Sequence, residues 1–281
     1  MIRNCFSPRV PSEFAFCFRF FLLGKALLWI ISLLIKIAIR TFLQLQYNLY
    51  IAYQSKINSI LKQTLAFDVY GTLIDTSGVL QTLEDCIGSE APSFMKAWRN
   101  KQLEYSFRRG LMHTFVDFSV VTREALEYCC LLLRQPLNSN QIERLMDAYK
   151  VLPAFEDVAA GLQGLPSKNF EKYAFSNGSA TAVSRLLENA NITTLFDGVV
   201  SVEKIKMFKP SPIVYQHFND STDSIKDNTW LISGNTFDVM GAISYGMKGV
   251  WVRRSADAVF DPWGITPTAI ISNLEELKHI L

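Results

Sequence analysis

The sequence predicts an α/β protein built on a parallel sheet, and three observations carry that prediction. Short apolar runs ending in polar, turn-forming residues occur at 65–75, 172–179 and 230–238, and the latter two lead into helix-like stretches. The pair Lys209-Pro210 stands between the second run and the third. A chain that repeats strand, polar turn and helix in this way forms parallel strands with right-handed crossovers. The strand C-termini then converge on one edge, where open α/β sheets build their sites.

In chain order, residues 1–64 come first and read differently from the rest. They carry eight Lys/Arg and one acid, Glu13, whereas the remainder has 20 Lys/Arg against 25 Asp/Glu. Within them Ala26 to Ile39 is a helix-forming apolar run interrupted by Lys36, preceded by Phe20-Phe21-Leu22-Leu23. Extended both ways, it approaches the roughly 20 apolar residues that a membrane span needs. Three readings fit this hydrophobic N-terminal helical extension: an anchor or interfacial segment over residues 20–40, a basic organelle-targeting presequence, or an extension without a role. Four Lys/Arg precede Ala26 and three follow Ile39, so charge asymmetry does not set an orientation.

The first strand, Leu65-Ala66-Phe67-Asp68, places a carboxylate at its end, ahead of the Gly71-Thr72 turn. An unpaired carboxylate buried there is unfavourable by several kcal/mol, so Asp68 is either held by loop amides for structural reasons or placed for catalysis. The second strand, Lys172-Tyr173-Ala174-Phe175, ends in Ser176-Asn177-Gly178-Ser179 ahead of a helix over 180–190. Loop amides and a positive helix end suit an anion, although a plain strand-to-helix turn reads the same way. Lys209 precedes a proline able to open a helix containing Tyr215. The third strand, Trp230-Leu231-Ile232, breaks into Ser233-Gly234-Asn235 and a helix whose first turn holds Asp238, an ordinary place for an acid. Each feature has a structural explanation when taken alone. Their common order brings Asp68, Ser176, Lys209 and Asp238 to one edge.

Composition narrows the partners. A net charge of +2, with no basic run interleaved with aromatics, argues against nucleic acid. The cysteines, Cys5, Cys17, Cys86, Cys129 and Cys130, are odd in number and lack a Cys-x-x-Cys spacing, which points to a reducing compartment and no zinc site.

At the four motifs around Asp68, Ser176, Lys209 and Asp238 the sequence resembles the haloacid dehalogenase superfamily, and within it the type II L-2-haloacid dehalogenases. The likeness runs from about Leu65 to about Leu274 and includes Ala97-Trp98-Arg99-Asn100-Lys101-Gln102-Leu103-Glu104-Tyr105 and Gly246 to Arg254. It implies a Rossmann-like core over 65–77 and 152–281, with a helical cap inserted over 78–151. The cap segment accordingly shows amphipathic patterns and no strand-like alternation.

The resemblance also implies roles. Asp68 is the nucleophile and Thr72 hydrogen-bonds within its site. Arg99 meets the departing halide, and Ser176 and Asn177 hold the substrate carboxylate. Lys209 pairs with the carboxylates, with Tyr215 supporting that network. Ser233, Asn235 and Asp238 orient Asp68 and the hydrolytic water, while Phe118 and Phe237 wall the substrate's alkyl group. Two residues depart from the pattern: Phe237 stands where Trp is usual, and Gly234 where a second Ser is usual.

The superfamily's phosphatases are the competing reading. They use Mg²⁺, held by oxygen ligands including carboxylates, and an acid two positions after the nucleophile. Here that position is Tyr70, whose phenol has a reference pKa near 10, and the fourth motif has Asn235 where an acid is usual. The expectation is therefore a cofactor-free, metal-independent (S)-2-haloacid dehalogenase. Its substrates are a 2-halocarboxylic acid and water, and it converts L-2-haloacids to D-2-hydroxy acids through an ester on Asp68. A Mg²⁺-dependent small-molecule phosphatase and a membrane-anchored relative without turnover are the alternatives. The family suggests homodimers. Asn177-Gly178-Ser179 is a glycosylation sequon whose use would block the site, so a cytoplasmic catalytic domain fits activity better.

Overall fold

The computed structural model describes residues 31–51, 53 and 62–281, and the chain divides into two units, Met1–Ile57 and Asn58–Leu281. In the first unit, residues 31–51 form helix α1, whose side chains are all exposed, Leu34, Phe42 and Leu49 among them. The apolar run begins earlier, and residues 20–30 of the expected anchoring segment lie outside the described residues. Among the described residues no helix is long and apolar enough to cross a membrane. Lys36, Arg40, Gln44, Gln46 and Asn48 interrupt the apolar side chains of α1.

The second unit is built on a six-stranded parallel sheet in the order β3-β2-β1-β4-β5-β6. The strands are β1 (Gln63–Asp68), β2 (Phe170–Ser176), β3 (Gly198–Ser201), β4 (Thr229–Ser233), β5 (Lys248–Val252) and β6 (Ala269–Ile271). β1 starts at Gln63, so its first residues come from the segment whose composition reads as the extension. Helices α6 (Val158–Gln163), α7 (Ala180–Asn189), α8 (Pro212–Thr222) and α9 (Thr236–Tyr245) connect the strands. Crossover helices cover both faces of such a sheet. The central strands are therefore apolar throughout rather than alternating, and Leu65, Ala66, Phe67, Leu231 and Ile232 are fully buried.

The chain leaves β1 for β2 and β3 on one side, then returns across β1 to lay down β4 on the other. That reversal opens a crevice beyond the carboxyl ends of β1 and β4, the position where doubly wound sheets bind ligands. Asp68, Ser176 and Ser233 are the last residues of β1, β2 and β4.

Between β1 and β2 the chain forms α2 (Leu80–Ile87), α3 (Ala91–Met112), α4 (Phe118–Leu132) and α5 (Ser139–Tyr149), and no strand appears in this stretch. The segment assigned to the cap, 78–151, is thus helical. The buried residues of α3, Ala91, Phe94, Trp98, Gln102 and Ser106, recur at a spacing of three or four and so form one stripe. It packs on α4, whose buried side includes Phe118, Val121, Thr122, Leu126 and Cys129. Asp117 and Asn138 cap the N-termini of α4 and α5, Asn138 with Gln141 as a reciprocal capping box.

α6 closes against the C-terminal 3₁₀ turn Leu274–His279, and only a glycine fits the contact. A Cβ on Gly161 would lie 2.6 Å from Leu274 Cβ and 2.8 Å from its carbonyl carbon. Replacing Gly161 with Ala is therefore expected to destabilise the fold by about 1–3 kcal/mol through overpacking. A fall in Tm of several degrees by calorimetry would report it, and an unchanged Tm would show that the turn can move aside.

Candidate active site

The site is assembled from the loops that leave the carboxyl ends of β1, β4 and β2, from the segment between β3 and α8 that carries Lys209, and from one helix of the cap. After Asp68 the backbone reverses at once: the amides of Thr72, Leu73 and Ile74 all point back to the Val69 carbonyl at 2.9–3.2 Å. Gly71 makes this turn with a φ of +80°, a conformation that costs glycine least. The reversal carries Thr72 over the strand end, and its hydroxyl donates to Asp68 Oδ2 at 2.7 Å.

The β4 loop supplies the next donors. Ser233 Oγ reaches Asp68 Oδ2 at 3.2 Å and Asn235 Nδ2 reaches the same oxygen at 2.7 Å. Asn235 Nδ2 also donates to the Tyr70 carbonyl at 3.0 Å. The Gly234 amide donates to Thr72 Oγ1 at 2.8 Å and so orients the hydroxyl that donates onward. A Cβ at Gly234 would lie 2.3 Å from the Gly71 carbonyl oxygen. The two loops touch because no side chain stands where the family usually has serine.

Lys209, 1% exposed, holds the other half of the site. Its Nζ donates to Asp68 Oδ1 at 3.2 Å, to Asp238 Oδ2 at 2.7 Å and to the Phe175 carbonyl at 2.9 Å, and it lies 4.1 Å from the Phe175 ring centroid. The Lys209-Pro210 peptide is cis, and the Lys209 amide donates to Asn177 Oδ1 at 2.9 Å. Burial opposes the ammonium charge, yet Asp238 and Asp68 together hold the Lys209 pKa above its ordinary value.

Asp238 is fully buried in the first turn of α9. Burial is the main cause that raises its carboxyl to about 6, with the charge of Asp68 adding to the rise while Lys209 and the Tyr215 hydroxyl oppose it. Tyr215 donates to Asp238 Oδ1 at 2.8 Å and is itself fully buried, so it meets the site through Asp238 and offers a substrate no open surface. The contact is close because α9 carries Gly241, where a Cβ would lie 2.3 Å from Tyr215 Oη.

The cap contributes Arg99. Its Nη2 lies 3.3 Å from Asn235 Oδ1 and 3.4 Å from the Tyr70 carbonyl, and its Nη1 donates to Gln102 Oε1 at 2.6 Å. Tyr70 is buried, with its ring 5.8 Å from that of Tyr149 and 5.6 Å from that of Phe118. Burial pushes its phenol well up, so it stays neutral.

Asp68, Thr72, Arg99, Lys209, Tyr215, Ser233, Asn235 and Asp238 thus form one connected hydrogen-bonded group. Ser176 and Asn177 lie at its edge: Ser176 Oγ accepts from the Gly178 amide at 3.0 Å, and Asn177 steadies the Lys209 backbone. Phe118 stacks near Tyr70 and Phe208 and borders a cleft of about 210 Å³ that also holds Gly178, Ser179 and Arg185. Phe237 borders a second cleft, one that Lys209 also lines. The Phe237 ring packs edge-on against Phe107 at 5.0 Å and lines this cleft, of about 810 Å³, with Phe208, Pro210, Met240 and Trp263.

Three contributors had no assigned role in the sequence reading. Gln102 holds Arg99, and Phe208 packs on Phe115 at 4.7 Å and on Phe118 at 6.4 Å. Arg254 donates to the Thr72 carbonyl at 2.6 Å and makes a two-pronged ion pair with Asp157 at 2.7 and 2.8 Å. Gln102 and Arg254 both fall inside stretches that carry the family resemblance, which is the one signal that marks them.

A family model described as haloacid dehalogenase-like hydrolase matches residues 65–252. An (S)-2-haloacid dehalogenase from Pseudomonas fluorescens is 33% identical over 219 residues, 78% of this chain and 96% of that protein. A haloacetate dehalogenase from Moraxella is 28% identical, over 78% and 97% of the two chains. Among solved structures, L-2-haloacid dehalogenase from Xanthobacter autotrophicus aligns with a TM-score of 0.71 and 28% identity, covering 78% of this chain and 98% of its own, and has also been solved with chloropropionic acid covalently bound. With that match spanning most of the second unit, this chain belongs to the haloacid dehalogenase-like hydrolase family.

Proposed function

We propose that the protein is an (S)-2-haloacid dehalogenase that works without a metal ion. The observation that carries this reading is the way Asp68 and Asp238 are joined: the Lys209 ammonium lies between them, and an amide, Asn235 Nδ2, rather than a carboxylate faces Asp68. Both groups complete the coordination of Asp68 with hydrogen-bond donors. This donor set suits a carboxylate nucleophile better than it suits Mg²⁺, which takes oxygen ligands.

The two Asp68 oxygens differ. Oδ2 accepts from Thr72, Ser233 and Asn235, whereas Oδ1 accepts from Lys209. Oδ1 therefore keeps more lone-pair density for an in-line attack on C2 of the haloacid. The carbon–halogen bond breaks as the Asp68–C2 bond forms, C2 inverts, and the halide departs with its electron pair. Arg99 supplies the positive charge for it, and the Ser176-Asn177-Gly178 turn ahead of α7 supplies donors for the substrate carboxylate.

Water then attacks Cγ of the ester. Oδ2, now the carbonyl oxygen, gathers the developing negative charge in front of three donors, an oxyanion-hole arrangement. Asp238 takes the water's proton, the Cγ–Oδ1 bond of the tetrahedral intermediate breaks while the C2–Oδ1 bond stays intact, and the proton passes from Asp238 to the departing oxygen, so the D-2-hydroxy acid leaves with the original Asp68 oxygen. Phe118, Phe208 and the neutral Tyr70 exclude bulk water from the carbon under attack.

Three outcomes follow. Halide release from 2-chloropropionate is expected to persist in EDTA, with ¹⁸O from labelled water found in Asp68 and not in product after a single turnover. Strict Mg²⁺ dependence would sink the reading. Replacing Asp238 with Asn is expected to leave one halide released per enzyme, with the ester trapped on Asp68 and turnover reduced about 10²–10⁴-fold, the usual range for a lost general base. Intact-protein mass spectrometry shows the adduct, and its absence alongside a normal burst would remove Asp238 from hydrolysis.

The pH dependence has a definite sign. Asp238 must be ionised to take a proton, so kcat falls on the acid side. Forming the ester removes the Asp68 charge that helps raise the Asp238 pKa to about 6 in the free enzyme. The acid limb of kcat should therefore lie below 6, and a limb above 6 in initial-rate measurements would contradict this assignment.

A further inference from the structure

Arg99 is exposed on neither a loop nor a chain end; it sits within α3, and its guanidinium is aimed by a neighbour one turn further on. Gln102 is 1% exposed and lies on the buried stripe of that helix. Side chains on a helix lean toward its N-terminus, so a residue three positions later covers the Arg99 position. Gln102 Oε1 accepts from Arg99 Nη1 at 2.6 Å and from the Tyr149 hydroxyl at 3.2 Å. At its other end Gln102 Nε2 donates to Thr122 Oγ1 at 2.6 Å, and Thr122 donates onward to the Phe118 carbonyl at 2.8 Å. Both ends of the amide are therefore committed: the Thr122 hydroxyl spends its proton on Phe118 and can only accept, which forces the Gln102 NH₂ toward α4 and the carbonyl toward Arg99.

We propose that Gln102 is a positioning residue for leaving-group departure, a neutral acceptor that fixes the Nη1 arm of the Arg99 guanidinium, while Asn235 and the Tyr70 carbonyl hold Nη2, so that the N–H groups these partners leave free face the carbon–halogen bond. The proposal rests on the reading that Arg99 meets the halide. A glutamine suits the task where a carboxylate would not. An acidic partner would order the guanidinium equally well but would neutralise the charge needed by the halide, whereas an amide oxygen orders it and leaves the charge in place. Thr122, Tyr149 and Gln102 come from three cap helices, α4, α5 and α3, so the direction of Arg99 is set by how the cap packs.

A buried glutamine also holds helices together, so the test uses a readout that fold stability does not move. Halide release is measured in single turnovers for 2-bromopropionate and 2-chloropropionate, and the ratio of the two rates is compared between variants. Any unfolded fraction cancels from the ratio. Chloride is the poorer leaving group and depends more on the guanidinium. In Gln102→Met, which keeps length but removes the acceptor, the chloro rate should fall by about 10–100-fold, the scale of a small misplacement. The bromo rate should fall less, so that the bromo-to-chloro ratio rises several-fold. Gln102→Glu, which keeps the acceptor but adds charge, should also raise the ratio. Arg99→Lys is the control. If the ratio rises in Arg99→Lys while both Gln102 variants keep the wild-type ratio, Gln102 is only structural and this inference fails alone. If Arg99→Lys also keeps the wild-type ratio, the assignment of Arg99 to the halide fails, and the inference with it.

Discussion

The Lys209 ammonium, held between Asp68 and Asp238, is the interaction on which the rest of the site depends. Two carboxylates this close cannot both stay ionised in a buried place unless a cation is shared between them, and breaking a buried ion pair by removing one partner typically costs about 3–5 kcal/mol. Lys209 brings them together from three directions, because it also needs the Phe175 carbonyl at the end of β2 and an anchored backbone, which Asn177 provides. One side chain thus ties the ends of β1 and β2 to the first turn of α9. The parallel sheet supplies the convergence, and the lysine turns the convergence into a charge balance.

That balance changes during the proposed reaction in a way the layout accommodates. In the free enzyme Asp68 and Asp238 are matched by Lys209 and Arg99, so the four side chains carry no net charge. Attack moves one negative charge off Asp68 and onto the halide, toward Arg99. Lys209 is then left facing Asp238 alone, so Asp238 stays ionised at the moment when hydrolysis needs a base. The Oδ2 donors serve in both steps, first orienting the nucleophile and then stabilising the tetrahedral oxygen.

The sequence made the framework legible because strand ends leave a chemical signature. A carboxylate closing the apolar run at Asp68, and polar turns at Ser176 and Ser233, mark places where a buried strand meets an open edge, and these strands appear at the predicted positions. The strands β3, β5 and β6 lie outside the three expected runs: β3 and β6, of four and three residues, are too short to display a period, and β5 falls in a stretch marked only by the family likeness. Residue-level physics also left each motif ambiguous, and the roles of Arg99, Asn235 and Tyr215 came from family resemblance. The Arg254–Asp157 pair, which steadies the Thr72 carbonyl, joins the segment after β5 to the N-cap residue of α6, far apart in sequence, so no local pattern announces it. Gly234 illustrates the reverse. In the sequence it is a missing serine; in the structure its amide holds Thr72, and the missing side chain is what lets the β1 and β4 loops meet.

Arg99 gives the cap its chemical meaning. In the proposed mechanism the core alone holds a nucleophile, a base and an oxyanion site, all of which a phosphoryl-transfer enzyme of the same architecture could use. What the cap adds is a cation, the Arg99 guanidinium, which touches Asn235 Oδ1 and the Tyr70 carbonyl while it is gripped by Gln102. Asn235 is therefore shared: its amide nitrogen donates to Asp68 and its amide oxygen accepts from Arg99. An aspartate there would present only acceptors, lose the donor to Asp68 Oδ2 and place a second negative charge beside the nucleophile. The choice of amide over acid at this one position lets a charged cap side chain and the Asp68 carboxylate share one partner, and it ties the chemistry of the core to the packing of the cap.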